Sequence, residues 1–361
     1  MALHQALRST RRLSAQGRVL STPSIDWSKL GFDFYPTRSM LRHDWLGSSW
    51  DGGAMQDDFN ISIHALSNVL HYGQGLFEGL KAFHCHDGKV RVFNSGANAA
   101  RLRSGCERLQ MPVVPPELFN EAIDRVVKDN VEFVPPYGSG GAMYLRPFLF
   151  GHGGKLGLGP APNYSFCVVA SPVGAYYKGG LQAIDAIVID EFNRAAPRGV
   201  GNIKCAGNYA PDVKPSTLAK EQGFPICLYL DAKHDEYIEE FSTSNFIGIT
   251  AEGTLVTPSS PSILPSTTKG VLLTLAADMG IKVEERPVPW SEISTFREVA
   301  ACGTAVVLTP IKSITRGEQV HSFDSFETIE RLYNAVTQLQ VGMAPDVHGY
   351  NRVVAEKPVP A

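Results

Sequence analysis

Apolar and polar positions alternate with the strand period over 89–92, the run 81–83 before it reads as a second short strand, and Asp87-Gly88 lies between them as a turn, so this stretch predicts a β-hairpin. The spacing then changes to the helical one over 97–110 and 117–133. Two further β-type runs, 142–149 and 164–170, flank the glycine-rich 151–159, which reads as a loop. The segment 171–180 (SPVGAYYKGG) sets proline and three glycines around two tyrosines and suits an interdomain linker. Beyond it, 186–190, 226–231, 245–250 and 254–257 read as strands, and 269–279 and 325–339 as helices. Strands and helices alternate irregularly there, which points to an α+β or pseudo-barrel domain rather than a doubly wound sheet. A helix is expected over 209–223, where Pro211 suits a first turn and Pro215 should kink or delay it.

At 361 residues the chain exceeds one ordinary core and divides as two domains. The expected division is 26–173, a linker at 174–184, and 185–361. Lys+Arg 33 against Asp+Glu 36 gives a net charge of -3, with no positive excess to hold a polyanion, so nucleic-acid binding is disfavoured. The apolar runs are short and broken by Gly, Pro and charge, which excludes a spanning helix. Six cysteines are scattered without metal-ligand or disulfide spacing, so no metal site is expected and reduced intracellular thiols are. Residues 1–25 carry Arg8, Arg11, Arg12 and Arg18 and no acid, and read either as a mitochondrial transit segment or as a disordered basic tail, leaving a mitochondrial or a cytoplasmic location.

The candidate chemistry centres on Gly201-Asn202-Ile203-Lys204-Cys205-Ala206-Gly207-Asn208-Tyr209 and on Glu240-Phe241-Ser242-Thr243-Ser244-Asn245. A lysine among small residues can approach a planar aldehyde cofactor, and a carboxylate from another strand can face its ring nitrogen, the two demands of pyridoxal-phosphate chemistry. Lys204 is the Schiff-base candidate, because partial burial lowers the pKa of its amine. Glu240 would keep the ring nitrogen protonated. Tyr209 either hydrogen-bonds the cofactor's phenolic oxygen or packs. A phosphate needs a cationic fork and free backbone donors, for which Arg101, the helix-opening segment 264–270 with Thr267 and Thr268, and the turn Gly303-Thr304-Ala305 are candidates.

Over roughly 32–342 the chain closely resembles the branched-chain amino acid aminotransferases, class IV members of the fold-type IV pyridoxal-phosphate enzymes. The resemblance rests on HYGQGLFEGLKAF at 71–83, Arg101, Tyr144-Leu145-Arg146-Pro147, Ser171-Pro172-Val173-Gly174, Lys204 with Gly207-Asn208-Tyr209, Glu240 with Thr243 and Asn245, and Gly303-Thr304-Ala305. It implies a two-domain α+β fold with a smaller N-terminal α/β domain and a larger C-terminal pseudo-barrel domain. It further implies pyridoxal 5'-phosphate joined to Lys204, Glu240 at the pyridine nitrogen and Tyr209 at the phenolic oxygen, with Thr243 and Asn245 beside them. Arg101, the amides of Thr267 and Thr268, and Thr304 would hold the phosphate, and Arg194 falls in a matched stretch near the lysine. Tyr72, Phe77, Tyr144, Tyr176 and Thr243 would wall the side-chain pocket. The substrate carboxylate would meet Thr304, Ala305 and Tyr72, while Arg146 orders the pocket. The implied reaction is ping-pong transfer of nitrogen from leucine, isoleucine or valine to 2-oxoglutarate by a homodimer, with small-molecule amino acids and 2-oxo acids as partners and neither nucleic acid nor membrane.

The phosphate turn reads Ser266-Thr267-Thr268-Lys269 where relatives commonly begin with Gly and end with Arg, and Ala100 stands where they often have Asp. Val306 and Thr309 occupy the positions of the redox cysteine pair of mammalian relatives, so a thiol switch of that type is not expected. These departures, with Pro211, Pro215 and Ala175 near the site, leave room for a paralogue serving specialised biosynthesis. The competing activities on this scaffold are an aminodeoxychorismate-type lyase, against which Phe77, Tyr144 and Tyr176 argue, and D-amino acid or (R)-amine transamination.

Overall fold

The computed structural model describes residues 25–174 and 181–359. The arginine-rich segment 1–24 and Tyr176 lie outside the described residues.

The first unit is an eight-stranded antiparallel sheet. Its centre is the long pair Ala142–His152 and Asn163–Val173, joined in register from Ala142↔Val173 to His152↔Asn163. The expected hairpin is present as Leu80–His84 and Lys89–Phe93. Helices Ser95–Arg108 and Pro116–Asp129 bury Leu102, Cys106, Phe119, Ile123 and Val126 in the same core as Leu80, Leu145 and Phe166 of the sheet. Pro116 opens the second helix, where its missing N–H costs nothing.

The second unit is built on a closed barrel. Six strands run in the order Asn245–Thr250, Phe296–Gly303, Val307–Arg316, Ile184–Val188, Ile226–Leu230 and Tyr237–Phe241. The pairing Glu240↔Asn245 joins the last strand to the first. Phe241, Phe246, Val299, Ile311 and Ile314 form a core within this unit. The two longest barrel strands, Phe296–Gly303 and Val307–Arg316, escaped the pattern reading because most of their residues are buried whichever way they point, which leaves no alternation to detect. Helices Thr267–Asp278 and Glu327–Gln340 lie between the units, where Val271, Leu272, Ile329 and Leu332 share a core with Phe83, Phe93 and Ala142.

Two expectations are refined. The helix after Lys204 runs Val213–Glu221, so Pro215 sits in its first turn, where no intrahelical acceptor is lost, and the helix is delayed rather than kinked. The chain also does not stay in the second unit to its end. Asn351–Glu356 pairs with Lys89–Phe93, buries Val354 in the first core and ties Arg352 to Asp124. That strand covers backbone groups that the Lys89–Phe93 edge would otherwise expose, and a division at 185 cannot separate it from the first sheet. Among the described residues, no helix is long and apolar enough to cross a membrane.

Candidate active site

Glu240 sits at the barrel's closure. The register moves from Ile238↔Leu230 to Glu240↔Tyr229, so Glu239 is an extra residue in its strand, a bulge of the kind that re-aims a neighbouring side chain. The Glu240 carboxylate is 3% exposed and lies 2.7 Å from Nη1 of Arg194. It also accepts the Leu264 N–H at 3.0 Å. Burial pushes this carboxyl up to about 7, against the pull of Arg194 and of the Leu264 amide. Opposite it, Asn245 donates Nδ2 to the Leu264 carbonyl at 3.1 Å. Together Glu240 and Asn245 clamp both backbone groups of Leu264 and so fix the segment that opens the next helix.

Lys204 is brought to this place by the first sheet. Leu76 forms a β-bridge with Cys205, and the Phe77 N–H donates to the Lys204 carbonyl at 3.1 Å. Asn208 tightens the loop by donating Nδ2 to the carbonyls of Val200 and Ile203, at 2.7 and 2.8 Å. A side chain at Gly201 would collide with the Ser262 carbonyl, so only glycine lets these two backbones approach. The Lys204 amine donates to the Tyr209 hydroxyl at 2.8 Å and lies 4.7 Å from the centre of the Phe77 ring, which meets Tyr209 edge-on at 4.8 Å. Burial first, and then Arg101, bring the amine down to about 7, while burial pushes Tyr209 up to about 12. At neutral pH the pair is a substantially deprotonated amine beside a protonated phenol.

On the next side lie unsatisfied donors. Ser266 Oγ accepts the Lys269 N–H at 3.1 Å, leaving the Thr267 and Thr268 amides at the helix N-terminus without acceptors among the described residues. Thr268 Oγ1 is 3.5 Å from Thr304 Oγ1. Arg101 is largely engaged: Nε and Nη2 hold Glu78 at 2.9 and 2.6 Å, and Nη1 donates to the Pro265 carbonyl at 2.8 Å. A guanidinium has five N–H groups, so two remain for a further anion. The amides of Thr304, Ala305 and Val306 likewise have no acceptor among the described residues.

An aromatic wall completes the group. Arg146 Cζ stands 4.9 Å from the Phe77 ring centre and 5.3 Å from that of Tyr144, and its Nη2 donates to the Tyr144 hydroxyl at 3.1 Å. Its Nε is buried without a partner among the described residues. A cavity of about 210 Å³ beside them is lined by Phe32, Tyr144, Arg146 and Val169.

The fold therefore gathers Lys204, Tyr209, Glu240, Phe77, Arg101, Thr267, Thr268 and Thr304 from both units. Thr243 is exposed at the tip of the hairpin after Glu240. The Ala305 carbonyl accepts the Lys81 amine at 2.7 Å. Tyr72 is on the surface at the end of the helix Asn68–Tyr72, donating to the Leu156 carbonyl, and no described contact joins it to Lys204. The sequence reading gave no role to Glu78, and placed Arg194 only near the lysine. The Glu78 carboxylate is fully buried, and Asn98 also donates to it at 2.8 Å. Burial of an unremarkable Glu or Arg has no local sequence signal, although Glu78 lies inside the 71–83 run.

Comparison with known proteins agrees with this geometry. The family model for amino-transferase class IV matches residues 75–314. The chain is 44% identical over 328 residues to the branched-chain-amino-acid aminotransferase of Haemophilus influenzae, covering 88% of this chain and 95% of that one. It is 39% identical over 321 residues to the aminotransferase atnJ of Emericella nidulans, with coverages of 85% and 92%. A solved structure of the branched-chain amino acid aminotransferase from Escherichia coli superposes with a TM-score of 0.73 at 27% identity, over 88% of this chain and 99% of that one. With its lysine, carboxylate and free amides assembled around one place, this chain belongs to the class IV aminotransferases.

Proposed function

We propose that the protein is a pyridoxal-phosphate-dependent transaminase that exchanges the amino group of leucine, isoleucine or valine with 2-oxoglutarate. The carrying observation is Lys204, a half-buried amine brought to about 7 and bonded to Tyr209, in a site that also holds the buried Glu240–Arg194 pair. The residues present fit the cofactor. Lys204 offers an amine for its aldehyde, Tyr209 a hydroxyl for its phenolic oxygen, and Glu240 a carboxylate for its ring nitrogen. The free amides of Thr267 and Thr268, the two spare N–H groups of Arg101 and the Thr304 hydroxyl suit its phosphate.

Pyridoxal phosphate supplies an electrophilic carbon for the substrate nitrogen and a ring that withdraws the electron pair left when the substrate Cα–H bond breaks. Lys204 Nζ, unprotonated, would take the proton from the substrate Cα and pass it to the cofactor's aldehyde-derived carbon, and would carry a proton the opposite way, to the oxo acid's Cα, in the second half. Glu240 would present its carboxylate to the ring nitrogen, and Arg194 favours the charged form against the burial that pushes this carboxyl up to about 7. The free amides of the 304–306 turn receive the substrate carboxylate. Phe77 and Tyr144 offer an aliphatic side chain a wall without a carboxylate, while the unpartnered Nε of Arg146 gives glutamate's second carboxylate a donor. The names of the relatives support branched-chain substrates.

The test mixes purified protein and cofactor with L-leucine and 2-oxoglutarate. Equal amounts of glutamate and 4-methyl-2-oxopentanoate are expected; no transfer from leucine, isoleucine or valine refutes the reading. Pyruvate release from aminodeoxychorismate without an acceptor would favour the lyase instead.

The same reading includes a homodimer, with domains at 26–173 and 185–361 apart from the returning C-terminal strand. Leu66, Leu70, Tyr72, Leu156 and Leu158 form an exposed apolar set on the first unit, suited to a second copy. A sedimentation mass equal to one chain at micromolar concentration would overturn it. Residues 1–25 are read as a mitochondrial import segment, and a fluorescent reporter fused to them should enter that organelle; diffuse fluorescence would refute this.

A further inference from the structure

The turn between Phe296–Gly303 and Val307–Arg316 carries the three free amides, and its backbone is strained. Val307 has φ of 65°, a left-handed conformation that a β-branched residue strongly disfavours. Something outside the turn has to hold it. Lys81 reaches it from Leu80–His84 in the other sheet, donating Nζ to the Ala305 carbonyl at 2.7 Å. No carboxylate lies within ion-pair distance of that amine among the described residues, and burial brings it down to about 8. A lysine half-buried without a counter-charge still loses solvation, which sets Lys81 apart from a lysine that merely solvates a surface. It also lines a cavity of about 290 Å³ against the turn, with Phe83, Tyr137, Ala305, Val306 and Tyr333.

In a trans peptide the carbonyl of one residue and the N–H of the next point in opposite directions. The bond to Lys81 therefore turns the Val306 N–H away from Lys81, and it polarises that peptide so that its N–H becomes a stronger donor. We infer that Lys81 is a positioning residue for carboxylate recognition: by holding the Ala305 carbonyl it sets the 304–306 turn so that its free amides meet the carboxylate of the amino acid or 2-oxo acid. This rests on the transaminase reading above.

The test compares cofactor-loaded wild type, Lys81→Met and Lys81→Arg. Calorimetry measures binding of 4-methylpentanoate, an unreactive carboxylate, and steady-state kinetics separate KM from kcat. Lys81→Met should bind the carboxylate on the order of tenfold more weakly and raise KM for both substrates by a similar factor. Cofactor affinity and kcat should change little, and Lys81→Arg should recover part of the loss. Unchanged carboxylate affinity in Lys81→Met overturns the inference, as does loss of cofactor and kcat in parallel with carboxylate binding, the mark of a merely structural lysine. If Lys81→Met does not fold, Lys81→Gln, shorter and uncharged, is judged by the same criteria. A wild type without transaminase activity would sink the proposed reaction, while the calorimetric comparison still decides the role of Lys81.

Discussion

Replacing Gly79 with alanine would place a methyl group on the Tyr144 hydroxyl and 3.0 Å from its Cζ, closer than packed carbons approach. The tyrosine would have to turn aside. It would then lose the hydrogen bond from Arg146 and its edge-on contact with Phe32, whose ring centre is 5.0 Å away. A hydrogen bond to a charged partner is worth about 1.5–3 kcal/mol and an aromatic pair about 0.5–1.5, so Gly79→Ala should lose about 2–4.5 kcal/mol. Urea unfolding of the apoprotein measures this directly, free of any effect on cofactor binding. Tyr144→Phe removes the atom that the methyl group would strike. In the double variant, the combined loss should therefore fall short of the sum of the single losses by more than about 1 kcal/mol. A wild-type midpoint for Gly79→Ala, or additive losses in the double variant, would refute the claim that this glycine exists to seat Tyr144.

Three further predictions follow from buried charge. Arg194→Met removes the cation that favours the Glu240 carboxylate, whose carboxyl would then keep its proton at pH 8, so the charge-linked loss of stability there should be on the order of 1–2 kcal/mol. The folded Glu240 carboxyl sits at about 7, above the unfolded value of 4.5, so it binds its proton more readily when folded, and the difference between wild type and variant should shrink by pH 5. An equal loss at both values would show that charge is not the cause. Since the Lys204 amine sits at about 7 rather than at the ordinary 10.5, capture of pyridoxal phosphate by the apoprotein should accelerate up to about pH 7 and then level off; a rate still climbing at pH 9 would show an unshifted amine. Glu240→Gln should keep the cofactor but slow both half-reactions by on the order of 10²–10⁴-fold in stopped-flow absorbance, and unchanged rates would remove its assigned role.

Several elements were legible because local patterns determine them. The 89–93 strand, the helix predicted over 97–110 and the loop around 151–159 follow from residue period and turn chemistry, and the structure places a strand, a helix and largely a loop there. Lys204 and Glu240 were legible for a different reason. Each lies in a short motif, 201–209 and 240–245, and the two stand in the order that the resemblance to the aminotransferases requires.

What the sequence itself determined was the identity of the groups: an amine, a phenol, a carboxylate and runs of small residues whose backbone donors stay free. Only the tertiary structure decided how they are tuned. Arg194 meets Glu240 because Arg194 precedes the lysine loop while Glu240 stands where the barrel closes at Glu240↔Asn245. Lys81 reaches Ala305 across 224 positions of chain, and Asn351–Glu356 returns to a sheet whose other strands ended long before. Periodicity records which face of an element is buried, but not against which distant element. A pKa moves only with the surroundings that such packing creates, so the depressed amine of Lys204 and the raised carboxyl of Glu240 are properties of the fold and of no segment within it.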